Sequence, residues 1–508
     1  MRRNFLVSML LLTPFIIKSQ DKPNIILIYA DDLGFGDLSC YNVSSKVKTP
    51  NIDKLAEKGV RFIDAHAGSA ISSPSRYAIL TGSYSWRTSR KRGNPDTGEQ
   101  PWIIEGRTTI ASMLSGNGYN TAAIGKWGLG ADWKSAEKPG RKGNDVSKKS
   151  IDYTKPIYAA KTAGFTYESL HYWFRGMYRT HYPCHDLEEA AEKIDGGGRW
   201  YFENGISMEG EPRFKDFDME EAQLYYIDKA VEYIDVAGGT KYNKNFNIKK
   251  NLPFFMYYAP HIPHYPHVPA KQFQGTSGVG LYGDFIHELD WAVGRIVTAL
   301  ERNKLLDNTI IIFTSDNGPE VQTYEYIKKY GHRSMGELRG IKRDLYQGGH
   351  TTPFIVSYPK KFKQGIVTDR LVSQTDILRT LADYLDIDLD KRYSEDSFSF
   401  LDELSDDLEG STSERTFAIH HSASGDLALR DGDWIFINRN RGDDSNREKE
   451  WFRHELGVIP HNEQVELYNL KQDPRQLKNL SAVYPERVQK MMRDLLKYVY
   501  EGSSVILK

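Results

Sequence analysis

Asn24-Ile25-Ile26-Leu27-Ile28-Tyr29-Ala30, running without a break into Asp31-Asp32-Leu33-Gly34, is an apolar stretch of strand length that stops on two carboxylates. Three later stretches repeat the pattern. Thr121 to Ile124 runs into Gly125-Lys126, Phe254 to Ala259 into Pro260-His261-Ile262-Pro263-His264, and Thr309 to Thr314 into Ser315-Asp316-Asn317-Gly318. A short continuous apolar run bounded by polar residues has the composition of a strand buried on both faces, as in parallel sheets. Sites in open α/β sheets form just outside the carboxyl ends of strands, so these four polar clusters are expected to converge although they lie far apart in the chain.

Between the runs, Ile52 to Gly59 and Asp284 to Asn303 carry apolar residues at helical spacing. This alternation predicts an α/β fold with a large central, mostly parallel sheet sandwiched by helices. Ala131 to Asp216 is rich in Gly, Lys, Tyr and Trp with weak periodicity, as a long functional insertion would be. Near Ser394 to Ser413 the chain turns acidic and serine-rich, which reads as a linker or surface excursion. Beyond it, Thr416 to His420, Leu427 to Arg430 and Trp434 to Asn438 read as short strands, with Asp431-Gly432 as a hairpin turn. Tyr484 to Tyr500 is amphipathic and reads as a closing helix. The expectation is a catalytic domain over residues 21–395 and a smaller C-terminal α+β subdomain with an antiparallel sheet over 396–508.

At 508 residues the chain exceeds what one core usually supports. With 67 basic against 68 acidic residues the net charge is -1, which excludes a global field for holding nucleic acid or an anionic membrane. Arg2 and Arg3, the apolar stretch Phe5 to Ile17 and then Lys18-Ser19-Gln20 have the order of a secretory signal over residues 1–20, so the protein is expected to be exported, periplasmic or secreted. That stretch is too short to span a bilayer, and no cysteine directly follows it, so no stable membrane anchor is expected. Cys40 and Cys184 are the two cysteines, free to pair or to stay reduced. Aromatics form 12% of the chain, including 31 Tyr, and such rings can stack on sugars as well as pack a core.

Ser72-Ser73-Pro74-Ser75-Arg76, followed by Tyr77-Ala78-Ile79-Leu80-Thr81-Gly82, is the most informative segment. Taken alone, the pentapeptide reads equally well as a helix-capping turn. In its longer context it resembles the signature of the formylglycine-dependent sulfatases of the alkaline phosphatase superfamily, including bacterial carbohydrate sulfatases and arylsulfatases. The resemblance continues in order through Asp31-Asp32-Leu33-Gly34, Gly125-Lys126-Trp127, Thr314 to Glu320, Leu338 to Lys342, Tyr346 to Gly349 and Glu466 to Leu470. It implies an alkaline phosphatase-like fold and a sulfuric ester hydrolase in which Ser72 is oxidised to formylglycine by a maturation enzyme. It also implies that Arg76, Lys126 and Lys342 surround the formylglycine and the sulfate, and that one histidine of the turn after Ala259 contacts sulfate. Spacing favours His264 for that role, with His261 next and His267 on the surface.

Asp31, Asp32, Asp316 and Asn317 are hard oxygen donors from two strand ends, a set that suits calcium and suits zinc poorly. The Ser72 oxygen is expected beside that ion as a further ligand. A serine hydroxyl is a weak nucleophile without an activating base, and nothing near Ser72 has the order of a Ser-His-Asp arrangement, so conversion to an aldehyde hydrate answers a chemical need. Two departures from the family pattern stand out. Gly128 occupies the position where many sulfatases carry a His after the Lys, and His350-Thr351-Thr352 stands where Arg often follows the paired glycines. His66 is one side chain that could replace the missing group. His420-His421-Ser422 resembles a segment of carbohydrate sulfatases that closes over the site, which makes His421 a candidate sugar contact or a solvent-facing strand residue. The expected partner is a sulfated glycan or polysaccharide. Two other readings remain open: a phosphatase or phosphodiesterase using unmodified Ser72, and a non-catalytic carbohydrate-binding homologue.

Overall fold

The computed structural model describes residues 22–95, 99–133, 155–171, 201–204, 206–207, 219–412, 414–502 and 504. Residues 1–20, Cys184 and most of the stretch from 131 to 216 lie outside them, and so do the expectations placed there.

The four apolar runs form the strands Asn24–Ala30, Asn120–Lys126, Phe254–Ala259 and Thr309–Ser315. They are consecutive neighbours, all parallel, at the centre of a ten-stranded sheet: Thr309–Ser315, Asn24–Ala30, Phe254–Ala259, Asn120–Lys126. Every residue of the four is buried, which explains the unbroken apolar runs. Each large aliphatic side chain there contributes roughly 1.5–3 kcal/mol by leaving water. Beyond Asn120–Lys126 the sheet continues through Tyr167–His171, which is parallel, and the antiparallel strands Tyr201–Glu203 and Ile206–Ser207. On the other side Phe354–Ser357 runs antiparallel to both of its neighbours, followed by Gly59–Phe62 and Ile366–Thr368. The mostly parallel sheet is flanked by helices, as expected. Helices Pro50–Glu57 and Met219–Ala237 both pack on the long helix Gly280–Arg302, and Ser72–Thr81 packs on Asp376–Tyr384 and Ile110–Gly116.

A separate antiparallel sheet has the order Phe417–His421, Leu427–Asp431, Trp434–Ile437, Glu466–Asn469. Its alternating side chains serve two contacts. Ile419, Leu429, Phe436 and Leu467 pack with Met491 and Leu495 of helix Pro485–Tyr500 and with Tyr84 and Trp86. Ala428, Ile435, Ile437 and Tyr468 pack on Leu345 and Tyr346.

The serine-rich stretch after Ser394 is placed differently from the expected surface linker. Ser394, Asp396, Ser397, Ser399, Phe398, Phe400, Leu401 and Leu404 are buried. Asp396 pairs with Arg87 at 2.7 Å and its carbonyl accepts from Arg415 and Thr375. Ser397 Oγ accepts from the Arg379 amide. Its small polar side chains satisfy buried hydrogen bonds, a use that composition alone does not distinguish from solvent exposure. Among the described residues no helix is long and apolar enough to cross a membrane.

Candidate active site

The strand ends deliver their polar residues to one point. Asp31 and Asp32 follow Asn24–Ala30, and Asp316 and Asn317 follow the neighbouring strand Thr309–Ser315. Asp32 adopts the left-handed conformation with φ 64, which breaks the strand's alternation. Its amide donates to Asp316 Oδ1 at 3.0 Å, locking the two ends together. Asp31, Asp32 and Asp316 each offer a carboxylate oxygen within 4.8 Å of the others, and all three are buried.

Ser72 opens the ten-residue helix Ser72–Thr81, which Gly82 closes in the left-handed conformation common at helix ends. The Thr81-Gly82 spacing of the motif is therefore the length of this helix. At the other end the Ser72 hydroxyl donates to Asp316 Oδ2 and accepts from Arg76 Nε at 3.0 Å. Arg76, one turn on, also donates to Asp31 at 3.2 Å, to Asp316 at 3.0 Å and to the Tyr257 hydroxyl at 3.0 Å. It has no solvent exposure and stays charged because burial is outweighed by Asp316, Asp31 and the tyrosines around it.

Lys126 Nζ lies 2.6 and 2.9 Å from the Asp31 oxygens, and Lys342 Nζ 2.7 Å from Asp32 Oδ2. His261 Nδ1 is 2.6 Å from Asp31 Oδ2, whereas His264 Nε2 stands 3.6 Å from Asp32 Oδ2. The two rings lie 4.4 Å apart. Burial favours protonation of Asp31, but Lys126, His264, His261 and Arg76 together hold it well below the usual carboxylate range. Asp316 goes the other way: burial, then the Asp31 charge, push it up to about 7. Such crowding of carboxylates fits a cation. A second observation agrees. Asn317 Nδ2 donates to Asp32 and to the Gly318 carbonyl, while Asn317 Oδ1 is buried without a hydrogen bond. An orphaned amide oxygen beside three carboxylates is an oxygen donor set of the kind calcium takes.

Ser72, Arg76, Lys126, His261, His264, Lys342, Asp31, Asp32, Asp316 and Asn317 thus meet in one place. His421 does not meet them in the expected manner. It is fully buried, with Nδ1 on Ser69 Oγ at 3.0 Å and Nε2 on the Lys91 carbonyl at 2.8 Å, so both ring nitrogens are spent on loops beside Ser72. It supports those loops and presents no nitrogen to a sugar. His66 is likewise engaged elsewhere, with Asp64 and His350. The Gly128 position is beside the first turn of helix Ser72–Thr81, because a side chain there would contact Arg76 Cδ at 3.4 Å and Ser73 Oγ at 3.5 Å. His267 is packed against Tyr282 and Tyr326 and bonds the Tyr326 hydroxyl at 3.0 Å. Sequence reasoning missed Tyr257 and Arg343, and had Glu320 only as the last residue of the block Thr314 to Glu320. Glu320 accepts from Arg343 at 2.7 and 2.6 Å and lies 3.8 Å from Lys342, which extends the charge network toward the C-terminal loop at Ala423. Tyr257 was hidden inside an apolar run, although a tyrosine in a buried parallel strand needs a hydrogen-bond partner.

The family description "Sulfatase" matches residues 23–387, a span that holds every residue of this cluster. The chain belongs to the sulfatase family. As a sulfatase it is a sulfuric ester hydrolase. It is 34% identical over 508 residues to the N-acetylgalactosamine-6-O-sulfatase of Bacteroides thetaiotaomicron, across 93% of this chain and 92% of that one. It is 32% identical over 364 residues to human arylsulfatase A, across 71% of this chain and 63% of that one. Among solved structures, a sulfatase described with the metabolism of multiple glycosaminoglycans by Bacteroides thetaiotaomicron superposes with a TM-score of 0.74 at 30% identity, covering 94% of this chain and 99% of that one.

Proposed function

We propose that this sulfatase removes sulfate from a sulfated glycan, with Ser72 oxidised to formylglycine and one calcium ion held by Asp31, Asp32, Asp316, Asn317 and the oxygen of residue 72. The observation that carries the reading is the position of Ser72 Oγ, held between the Asp316 carboxylate and Arg76 Nε beside the orphaned Asn317 Oδ1. Formylglycine, as its hydrate, would supply one oxygen to take the sulfuryl group and a second whose deprotonation frees sulfate by regenerating the carbonyl. Calcium would draw charge from the sulfate oxygens.

The chain's own residues do the rest. Arg76 fixes the oxygen of residue 72 and balances Asp31 and Asp316. Lys126 and Lys342, fixed and buried, offset negative charge on the transferring group in a site where water screens little. His264 stands further from the carboxylates than His261 and keeps partial exposure, so it is assigned the proton for the departing sugar oxygen. Burial, then Lys342 and Lys126, hold the His264 imidazole below its ordinary range, and the charge of a bound sulfate opposes the two lysines.

The full-length similarity to an N-acetylgalactosamine-6-O-sulfatase makes 6-O-sulfated N-acetylgalactosamine the first substrate to test. The family match over 23–387 and the separate four-stranded sheet support a catalytic domain over 21–395 and a C-terminal subdomain over 396–508. Export before folding, and a maturation enzyme acting on Ser72, complete the reading. The test is sulfate release from N-acetylgalactosamine 6-sulfate, its 4-sulfate isomer and the 6-phosphate analogue by the matured protein with calcium. Release from the 6-sulfate is the expected result. Release from the 4-sulfate alone overturns the position, and no release from any sulfated sugar overturns the glycan reading.

A further inference from the structure

A second cluster lies away from the carboxylates, where the small sheet meets the large domain. His66 ends the short strand Ala65–His66, His350 ends the short helix Gln347–His350, and His420 lies in strand Phe417–His421. All three are buried, and one ring nitrogen from each lies within 4.8 Å of the others. His66 Nδ1 and His350 Nδ1 are 3.1 Å apart, and Thr351 Oγ1 is 3.4 Å from His66 Nδ1. Both nitrogens of His420 are buried without a hydrogen bond.

The outer nitrogens decide what the inner ones can be. His66 Nε2 faces the Asp64 carboxylate at 2.9 Å, and His350 Nε2 faces the Leu345 carbonyl at 3.2 Å. Both partners accept, so both Nε2 atoms carry hydrogen. In neutral rings the two Nδ1 atoms are then bare lone pairs directed at each other, which is repulsive unless a proton or a cation lies between them. Arg430, bonded to Asp64 at 2.5 Å and 3.4 Å from His66 Nε2, together with the burial of the trio, disfavours an extra proton. A carboxylate on one histidine and a backbone carbonyl on another are the supports that metal-ligating histidines use to fix their tautomer. Ligands of a tetrahedral zinc at about 2.05 Å stand about 3.3 Å apart, close to the separation found here.

We propose that His66, His350 and His420 form a site for a divalent transition-metal ion of the zinc type, distinct from the carboxylate cluster at Ser72. Imidazole nitrogens suit zinc, whereas calcium selects oxygen, so each cluster selects its own metal. The His350 and His420 rings are stacked at 3.7 Å with an 11° interplanar angle, so sharing an ion requires them to tilt apart. The ion would pin Phe417–His421 to the large domain. It would also brace the loop before Ser72, since the Ala67 amide donates to the His350 carbonyl and the Ala70 amide to the His421 carbonyl.

The test is metal analysis of protein made in zinc-supplemented medium, followed by Co2+ exchange at fixed calcium. About one zinc per chain is expected, replaced by Co2+ with the visible absorption of a tetrahedral nitrogen site. His350→Ala and His420→Ala should each lose that ion and keep their calcium. Absence of stoichiometric zinc and of tetrahedral Co2+ bands in the wild type, or an unchanged Co2+ spectrum in folded His420→Ala, overturns the site. If the variants do not fold, the wild-type Tm with and without Zn2+ decides: a rise with Zn2+ concentration supports the site, and a flat Tm shows the histidines to be a packed trio that takes no metal.

Discussion

Asn317 shows how a single side chain can report on a missing partner. Its amide nitrogen is satisfied twice while its oxygen is left bare in a buried site, an arrangement that would cost about 1–3 kcal/mol if nothing bound there. Asn317→Ala should therefore fold normally and require more calcium for activity, as calcium titration calorimetry and the calcium dependence of turnover will show. Unchanged calcium affinity would take Asn317 out of the ligand set. In the proposed function His264 gives its proton to the leaving sugar oxygen. A sugar alkoxide leaves poorly without a proton, so His264→Ala should slow sugar-sulfate hydrolysis by roughly 10² to 10⁴. Nitrophenyl sulfate, whose leaving group needs no proton, should lose far less. Equal losses on both substrates would make His264 a sulfate-binding residue, and selective loss in His261→Ala would move the acid role there. That these residues gather in one place was readable from motifs because acids, amides and cations in those orders serve few other purposes together. For His421, sequence shows a histidine beside the site but not which partner each ring nitrogen meets.

At the scale of elements, the loops carrying the site are held by backbone touching backbone. Gly318 donates its amide to the Gly349 carbonyl at 2.9 Å, and a Cβ at 318 would overlap the carbonyl oxygen of Gly348. Gly318→Ala must push the Asp316-Asn317 turn away from Tyr346 to Gly349, so it should lower stability by about 2–4 kcal/mol and impair calcium binding. Denaturant unfolding checks the first effect. A variant as stable as the wild type would mean that the loops separate easily. The central strands were legible because double burial writes itself as unbroken apolar runs. Phe354–Ser357 and Gly59–Phe62 were missed because four-residue strands carry too little periodicity to stand out. Glu466–Asn469 was noticed as a motif and not as the fourth strand of its sheet, although its alternation packs Leu467 and Tyr468 on opposite faces.

Across the whole molecule, composition fixed the class but not the assembly of its parts. The contact between the small sheet and the site depends on pairs such as Ser69 with His421 and Arg430 with Asp64, separated by 352 and 366 positions, which no local pattern announces. Buried charge also sets how stability responds to pH. Glu288, on the long helix Gly280–Arg302, accepts from the Ala270 amide through Oε2 while Oε1 is unpaired, and burial pushes its carboxyl up from 4.5 to about 8. A raised folded value means that Glu288 contributes stability fully below pH 4.5 and loses it as pH rises through about 8. Glu288→Gln, which resembles the protonated form, should leave Tm nearly unchanged at the acid end of that window and raise it at the alkaline end, by on the order of 1–2 kcal/mol in stability. An equal effect at both ends would show that Glu288 is ionised throughout.

In the proposed function the residue at position 72 is an oxidised serine that carries out the sulfuryl transfer. Mass spectrometry of the peptide carrying Ser72, from protein matured in its native host and assayed in parallel for sulfate release, decides this. The expected result is an active preparation in which residue 72 is lighter than serine by two hydrogen atoms, and an inactive, folded Ser72→Ala variant. Full sulfatase activity with an unmodified Ser72 peptide would contradict it.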